Sequence, residues 1–502
     1  MTCENFIHRL WMKESRATRR NAAAGRRRPS RGTRGDTWGQ RAHRAINRWM
    51  RARRATGHNA RVPGTAPKGG GRVHDREILR LAIPAFGALV AEPLFLLADY
   101  AIVGRLGTVA LGALGVAGTV LTTLVNLCVF LAYATTAQVA RRIGAGDRRE
   151  ALRWGIDGLW LAAAIGLVLA VLGVPFAPLL VEPFGASPEV AADAITYLRI
   201  SMLGTPAMLL VLAGTGVLRG LQDTVTPLVV SIAGFTLNAA LNAWFVLGLG
   251  WGIAGSAWGT VSAQVLSAAA YLVVVLRGAR REGVPLRPRL AGVRTSGAAG
   301  LALFIRTVGL RVVLAVATAV AARMGDAQVA AHGIAFQVWT LLAYAHDAIA
   351  IAGQAITGRA LGAGDVAATR AATARMVTWG IGTGVVLGIA VCVARPWIPG
   401  LFDADAAVTQ ELLAVLWLVA LLQPVAGVVF VLDGVLIGAG DQRFLAYAQV
   451  AAAIVFLPAA GLVVVLGTGL VSLWMALGIW MIARMIALSA RARGTAWLVT
   501  GA

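Results

Sequence analysis

Gly216-Val-Leu-Arg-Gly220-Leu-Gln-Asp223 returns 218 residues later as Gly434-Val-Leu-Ile-Gly438-Ala-Gly-Asp441. Two further pairs share that offset: Arg105-Leu-Gly107 with Arg323-Met-Gly325, and Gly144-Ala-Gly146-Asp147 with Gly362-Ala-Gly364-Asp365. Chance in an Ala- and Gly-rich chain could produce one such match, but hardly three in register across more than 110 residues. The chain is an internal duplication, and that reading comes before any motif.

Around these motifs, from about Leu79 onward, apolar stretches of roughly 18–25 residues alternate with short polar loops, the length a helix needs to cross a bilayer. Twelve spans follow, at 79–102, 113–138, 154–178, 190–216, 226–248, 252–276, 298–322, 328–357, 372–394, 408–436, 444–466 and 470–490. Each repeat holds six, an even number, so the two run in the same direction through the membrane. An axis along the membrane normal then relates them, with a site near the midplane between them. The expected fold is an all-α polytopic membrane protein. It has a basic disordered tail (1–75), two six-helix lobes (76–285 and 286–495) and a short C-terminal tail (496–502). Two lobes that rock about a shared site are the architecture of a secondary transporter.

Composition agrees. Of 502 residues, 58% are hydrophobic and 14% charged, against about 25% charged in soluble proteins, which excludes a soluble enzyme. The net charge of +23 is unevenly spread: residues 1–74 hold 19 Lys and Arg against three acids, and no Lys follows Lys68. No apolar region follows these basic residues before Arg72, which argues against a cleavable signal peptide. The segment reads either as a polybasic tail that touches anionic lipid or nucleic acid, or as an over-extended start with no role. In the loops, 18 Arg lie on the side of both termini and three (Arg105, Arg323, Arg395) on the other. The positive-inside rule therefore puts both termini in the cytoplasm of a plasma membrane, here a bacterial cytoplasmic membrane. Cys3, Cys128 and Cys392 have no metal-ligand spacing. The repeated Gly-Ala-Gly-Asp lacks the Gly-Lys-Ser/Thr of a phosphate loop and reads as a helix stop followed by an Asp cap.

Charges inside spans are costly and mark candidate sites. Asp99 lies on the outer half of helix 1, with Glu92 two turns before it on nearly the same face and Pro93 between them, able to bend the helix toward a cavity. A carboxyl in an apolar site can hold a proton near pH 7 and release it on hydration. Asn238 and Asn242 share one face of helix 5 and either bond a carboxyl or act as interhelical glue. In the second half, Asp347 is a candidate second acid of a C-lobe cavity, and Asp433, near the cytoplasmic end of helix 10, either lines that cavity or pairs in the cytoplasmic loop region. Arg306 and Arg311 either line the cavity or neutralise Asp347. His332 and His346 read as packing residues, and Asp157 and Asp193 as acids suited to helix N-termini.

Leu97-Ala-Asp99-Tyr-Ala-Ile-Val-Gly104-Arg-Leu-Gly107, the two repeated motifs that follow it and Gly252-Ile-Ala-Gly255-Ser-Ala-Trp-Gly259-Thr resemble the multidrug and toxic compound extrusion (MATE) family, in its DNA-damage-inducible (DinF-like) branch. The resemblance spans about residues 76–490. It implies a V-shaped bundle and an antiporter that exports cationic or amphiphilic organic compounds in exchange for H⁺ or Na⁺, with Asp99 as the principal coupling acid. Family members often carry Asn and Asp on helix 5 where this chain has Asn238 and Asn242, and the missing acid favours H⁺ over Na⁺. Small organic substrates and membrane lipids are the expected partners of a monomer, with no nucleic acid, cofactor or metal and no enzymatic activity. The alternative is a lipid or lipid-linked oligosaccharide flippase of the same wider superfamily, which a strongly cationic cavity would favour.

Overall fold

The computed structural model describes residues 70–501; the expected basic tail lies outside the described residues up to residue 69. The first repeat comprises α1 (Gly70–Val103), α2 in two pieces (α2a, Thr108–Leu127; α2b, Phe130–Gly144), α3 (Arg148–Val181), α4 in two pieces (α4a, Pro188–Leu203; α4b, Thr205–Gly220), α5 (Val225–Ala243, extended by a wide turn over Trp244–Gly248) and α6 (Gly252–Arg281). The second comprises α7 (Leu290–Met324), α8 (Asp326–Gly362), α9 (Val366–Ala394), α10 (Ala406–Gly438), α11 (Gln442–Leu466) and α12 (Gly469–Arg493). Among the described residues, eleven helices are long and apolar enough to cross a membrane, and twelve if the bent α4 pair counts as one span.

The quoted motifs are the joints of this bundle. Gly107 and Gly325 take φ of 109° and 136° with extended ψ, a conformation closed to residues with a Cβ, so each ends a first helix and starts a second. Gly146 and Gly364 take φ of 79° and 76°. The Asp after each then accepts a 2.8 Å hydrogen bond from a backbone N–H in the next helix, Glu150 after Asp147 and Ala368 after Asp365. The Gly-Ala-Gly-Asp copies are a stop and a cap.

The duplication is also visible in packing. Gly216 and Gly220 of α4b lie against the carbonyls of Ala132 and Thr136 on α2b, and Gly434 and Gly438 of α10 lie against those of Ala350 and Gln354 on α8. Each pair of neighbours is again 218 residues apart. Small residues four apart let two backbones approach closely where no water-driven hydrophobic force holds helices together. Between the repeats, Gly362 meets the carbonyl of Arg141 and Gly144 meets that of Arg359, a reciprocal contact in which α2b and α8 exchange roles.

One expectation changes. The span expected at 190–216 is two helices bent by 51° at Gly204. Pro206 cannot donate to the preceding turn, and the Thr205 hydroxyl takes over by donating to Met202 (2.7 Å) and Gly166 (3.0 Å). Pro424, its counterpart in α10, follows Leu422-Gln423 and leaves the helix continuous. The helix α1 is continuous through Pro84 and Pro93.

Polar contacts between the repeats gather at the end where α2, α4 and α8 stop. Asp75 accepts from Arg375 (2.6 and 2.7 Å) and from the Trp379 indole (2.7 Å), and Glu77 pairs with Arg359. Gln222 donates to the Ala355 carbonyl at 2.9 Å. Arg141 donates to the carbonyls of Ala439 (2.7 Å), Val499 (2.7 Å) and Gly501 (2.8 Å), so the C-terminal tail lies across the seam, anchored by the buried Trp497.

Candidate functional site

Two polar clusters occupy the interior, one in each repeat. In the first, Asp99 is 4% exposed and sits four residues from the end of α1. Its Oδ1 accepts from the Asn242 side-chain amide on α5 and from the Ser256 hydroxyl on α6 at 3.1 Å. Gly259 makes this possible, because a Cβ there would collide with the Asn242 carbonyl oxygen. Asn238, one turn earlier on α5, donates instead to the Thr260 hydroxyl at 3.1 Å. The shared face of the two asparagines therefore divides: one serves the carboxylate and the other ties α5 to α6. The side-chain oxygens of both amides are buried without a partner, as is the Ser201 hydroxyl. Such a site has spare acceptors for a proton donor or a cation. The side chain of Glu92 lies outside the described residues.

In the second cluster, Arg306 of α7 and Arg484 of α12 both donate to Oδ2 of Asp433 at 2.5 Å. Asp433 is buried in the wall between α8 and α12 rather than paired in a loop, because α10 continues past it to Gly438 and turns it inward. Arg306 is thus the partner of Asp433, not of Asp347. Asp347, half-buried on α8, faces the same small cavity of about 50 Å³, with Tyr133, Gln354 and Phe430 on its walls. Arg311 is exposed and does not line it. His332 stacks on Phe336 and meets Trp474 at a tilt, and His346 meets Gln423 at 3.3 Å.

Asp157 departs from its expected role at a helix start. It is fully buried ten residues into α3 and receives Arg289 of the inter-repeat linker at 2.9 Å, while Glu150 takes the same guanidinium at 2.6 Å. Sequence reasoning passed over Arg484, although an Arg within the apolar run 470–490 is the signal by which Arg306 was found. Arg219, one of the 18 Arg on the side of both termini by sequence, is 9% exposed in the last turn of α4b and so lies within the helix rather than in a loop. Ser256 and Thr260 carried no signal of their own.

Residues 84–244 and 303–462 each match the MatE family model. The chain is 32% identical over 428 residues to Protein DETOXIFICATION 44, chloroplastic, of Arabidopsis thaliana, covering 82% of this chain and 81% of the relative. It is 30% identical over 429 residues to DNA damage-inducible protein F of Escherichia coli K12, covering 83% and 91%. Among solved structures, the outward-facing form of a multidrug resistance MATE family transporter of the MOP superfamily superposes with a TM-score of 0.77 at 21% identity, covering 86% of this chain and 98% of that one.

Proposed function

This chain belongs to the MatE family of multidrug and toxic compound extrusion transporters, and from that premise we propose that it works by H⁺-coupled antiport through Asp99. As a family member it is a multi-pass membrane transporter of small organic compounds, not an enzyme. The observation that carries the coupling proposal is the Asp99 carboxylate, held between three helices by Asn242 and Ser256 and buried with no ion pair to a described residue.

An ionised carboxylate accepts both hydrogen bonds strongly on Oδ1; protonation weakens that acceptor and adds, on Oδ2, a hydroxyl that needs an acceptor of its own. Proton binding therefore alters how α1 sits against α5 and α6. That gives the proton a differential interaction with two arrangements, as any ligand-driven shift requires. With one acid and no second carboxylate among Asn238, Asn242, Ser256 and Thr260, the set suits H⁺ better than Na⁺, which takes several oxygen ligands.

The lobes 76–285 and 286–495 then alternate access. The seam held by Arg141, Glu77 and Asp75 is the cytoplasmic gate, closed in an outward-facing state, and both termini lie in the cytoplasm of the plasma membrane, a reading the Arg distribution supports. The single chain is the working unit, and its substrates are amphiphilic; the cationic character implied by the resemblance draws on Asp99 alone.

The test uses everted vesicles energised acid inside. Organic compounds are added, and proton release is followed with a pH-sensitive dye in wild type and Asp99→Asn. Substrate-triggered release in wild type that is absent in the well-inserted variant is the expected result. No release from wild type, with or without Na⁺, would sink the antiport reading and favour a lipid flippase, for which the buried arginines speak.

A further inference from the structure

The beginning of α1 divides into two faces. Ile78, Leu81, Ala82 and Ala85 are buried against the bundle, while Arg76, Leu79, Arg80 and Ile83 lie exposed on the other side, at the spacing of one helical face. With Pro84, Asp75 and Val225 at the start of α5, those four exposed residues line a groove of about 680 Å³. The acids of this turn are already engaged: Asp75 accepts from Arg375 and Trp379, and Glu77 pairs with Arg359. Arg76 and Arg80, one turn apart, form no hydrogen bond or ion pair with any described residue. In the second repeat the matching positions are Arg294 and Ala298. The exposed arginine pair is therefore not a by-product of duplication.

The helix α1 is long and apolar enough to cross a membrane, and after Arg80 it carries no charge until Glu92. Arg76 and Arg80 therefore stand at headgroup level, where the hydrocarbon begins, and Ile83, Pro84 and Val225 give the groove an apolar wall beside them. The planar fork of guanidinium donors matches phosphate oxygens, and basic residues next to a membrane span attract anionic lipid. A zwitterionic headgroup would bring a cation to a site already positive. The N-terminal segment is no match either, since residues 1–74 hold 19 Lys and Arg against three acids. We propose that this groove binds one anionic phospholipid, its phosphate between Arg76 and Arg80 and an acyl chain along Ile83 and Val225.

The test titrates the full chain, purified in a neutral detergent, with phosphatidylglycerol or phosphatidylcholine and counts bound lipids by native mass spectrometry. Wild type is expected to hold one phosphatidylglycerol more tightly than phosphatidylcholine. Arg76→Gln combined with Arg80→Gln is expected to weaken that binding about tenfold. Arg294→Gln, which changes the exposed counterpart on α7, is expected to leave it unchanged. Ile83→Asn alters the apolar wall and no charge, and is expected to weaken it several-fold, a loss that a site for a bare anion would not show. If the double variant does not fold, protection of wild type from thermal unfolding by phosphatidylglycerol, lost in Ile83→Asn, reads the same site.

Equal phosphatidylglycerol binding by wild type and the double arginine variant overturns the proposal, as does an equal loss in Arg294→Gln, which would mean a diffuse attraction to the basic surface. Displacement of the lipid by inorganic phosphate would reassign the groove to a free anion. A dimer that the double variant no longer forms would reassign it to a second copy of the chain. The inference rests on the membrane-spanning course of α1 and needs no proton gradient, so its failure and the failure of antiport are read apart.

Discussion

Gly362 lies against the backbone carbonyl of Arg141, and the same contact recurs with the halves exchanged, Gly144 against Arg359. No side chain mediates it, so the crossing of α2b and α8 tolerates only hydrogen at both positions. Gly362→Ala must push two backbones apart, and overpacking of this kind costs about 1–3 kcal/mol. Gly382 on α9 has nothing within reach of a Cβ, so Gly382→Ala is expected to be neutral or to stabilise by about 0.5–1 kcal/mol. Thermal unfolding of the two variants in detergent checks this. Equal melting temperatures would mean the crossing is not tight.

Asn242 and Ser256 both bond Asp99, and the Asn242 amide occupies the room that Gly259 leaves between α5 and α6. Asn242→Ala is therefore expected to slow proton-coupled transport about tenfold, Ser256→Ala less, and Asn238→Ala least, because Asn238 bonds Thr260. Initial rates in proteoliposomes rank the three. A larger loss at Asn238 than at Asn242 would contradict the placement.

Arg141 ties α2b to Ala439 and to the tail carbonyls of Val499 and Gly501. Hydrogen bonds from a charged donor contribute about 1.5–3 kcal/mol, enough to shift a two-state equilibrium about tenfold or more. Arg141→Gln, or deletion of residues 495–502, is expected to expose the seam. A cysteine introduced as Ala355→Cys, beside the Gln222 contact, reports it through faster reaction with a membrane-impermeant maleimide. An unchanged labelling rate in both variants would show that the tail is not a latch.

The pair Arg289–Asp157 is asymmetric, because Asp157 is fully buried and Arg289 is a third exposed. Burial lowers the pKa of Arg289, but the hydrogen bonds it donates to Glu150 and Asp157 outweigh it, so the guanidinium stays charged across the working pH range. Arg289→Gln leaves a buried carboxylate with one backbone N–H from residue 289 and is expected to cost about 3 kcal/mol. Asp157→Asn leaves a partly hydrated guanidinium still paired with Glu150 and is expected to cost about 1 kcal/mol. Chemical unfolding of the two single variants checks the order.

The sequence carried the duplication and the span count because both are one-dimensional. An apolar run long enough to cross a bilayer and a motif repeated at a fixed offset need no neighbours to be recognised. The roles of the motif glycines at 107, 146, 325 and 364 were equally local, since a positive φ and an Asp cap are properties of a few consecutive residues. Asp99 was legible for a related reason: a carboxylate inside an apolar run stands out against lipid.

What only the tertiary structure decided is who meets whom. Asn238 and Asn242 are indistinguishable on their helix, and one reaches Asp99 because Gly259 on another helix leaves room for it. Asp433 near the end of α10 reads as a loop acid until α7 and α12 bring Arg306 and Arg484 to it. Pro206 and Pro424 occupy matching places, yet only the first bends its helix, where Gly204 and the Thr205 hydroxyl allow it. Hydrophobic length is set by the lipid outside and written along the chain. Pairing among buried charges depends on helix rotation and close backbone approach, which several distant segments fix together.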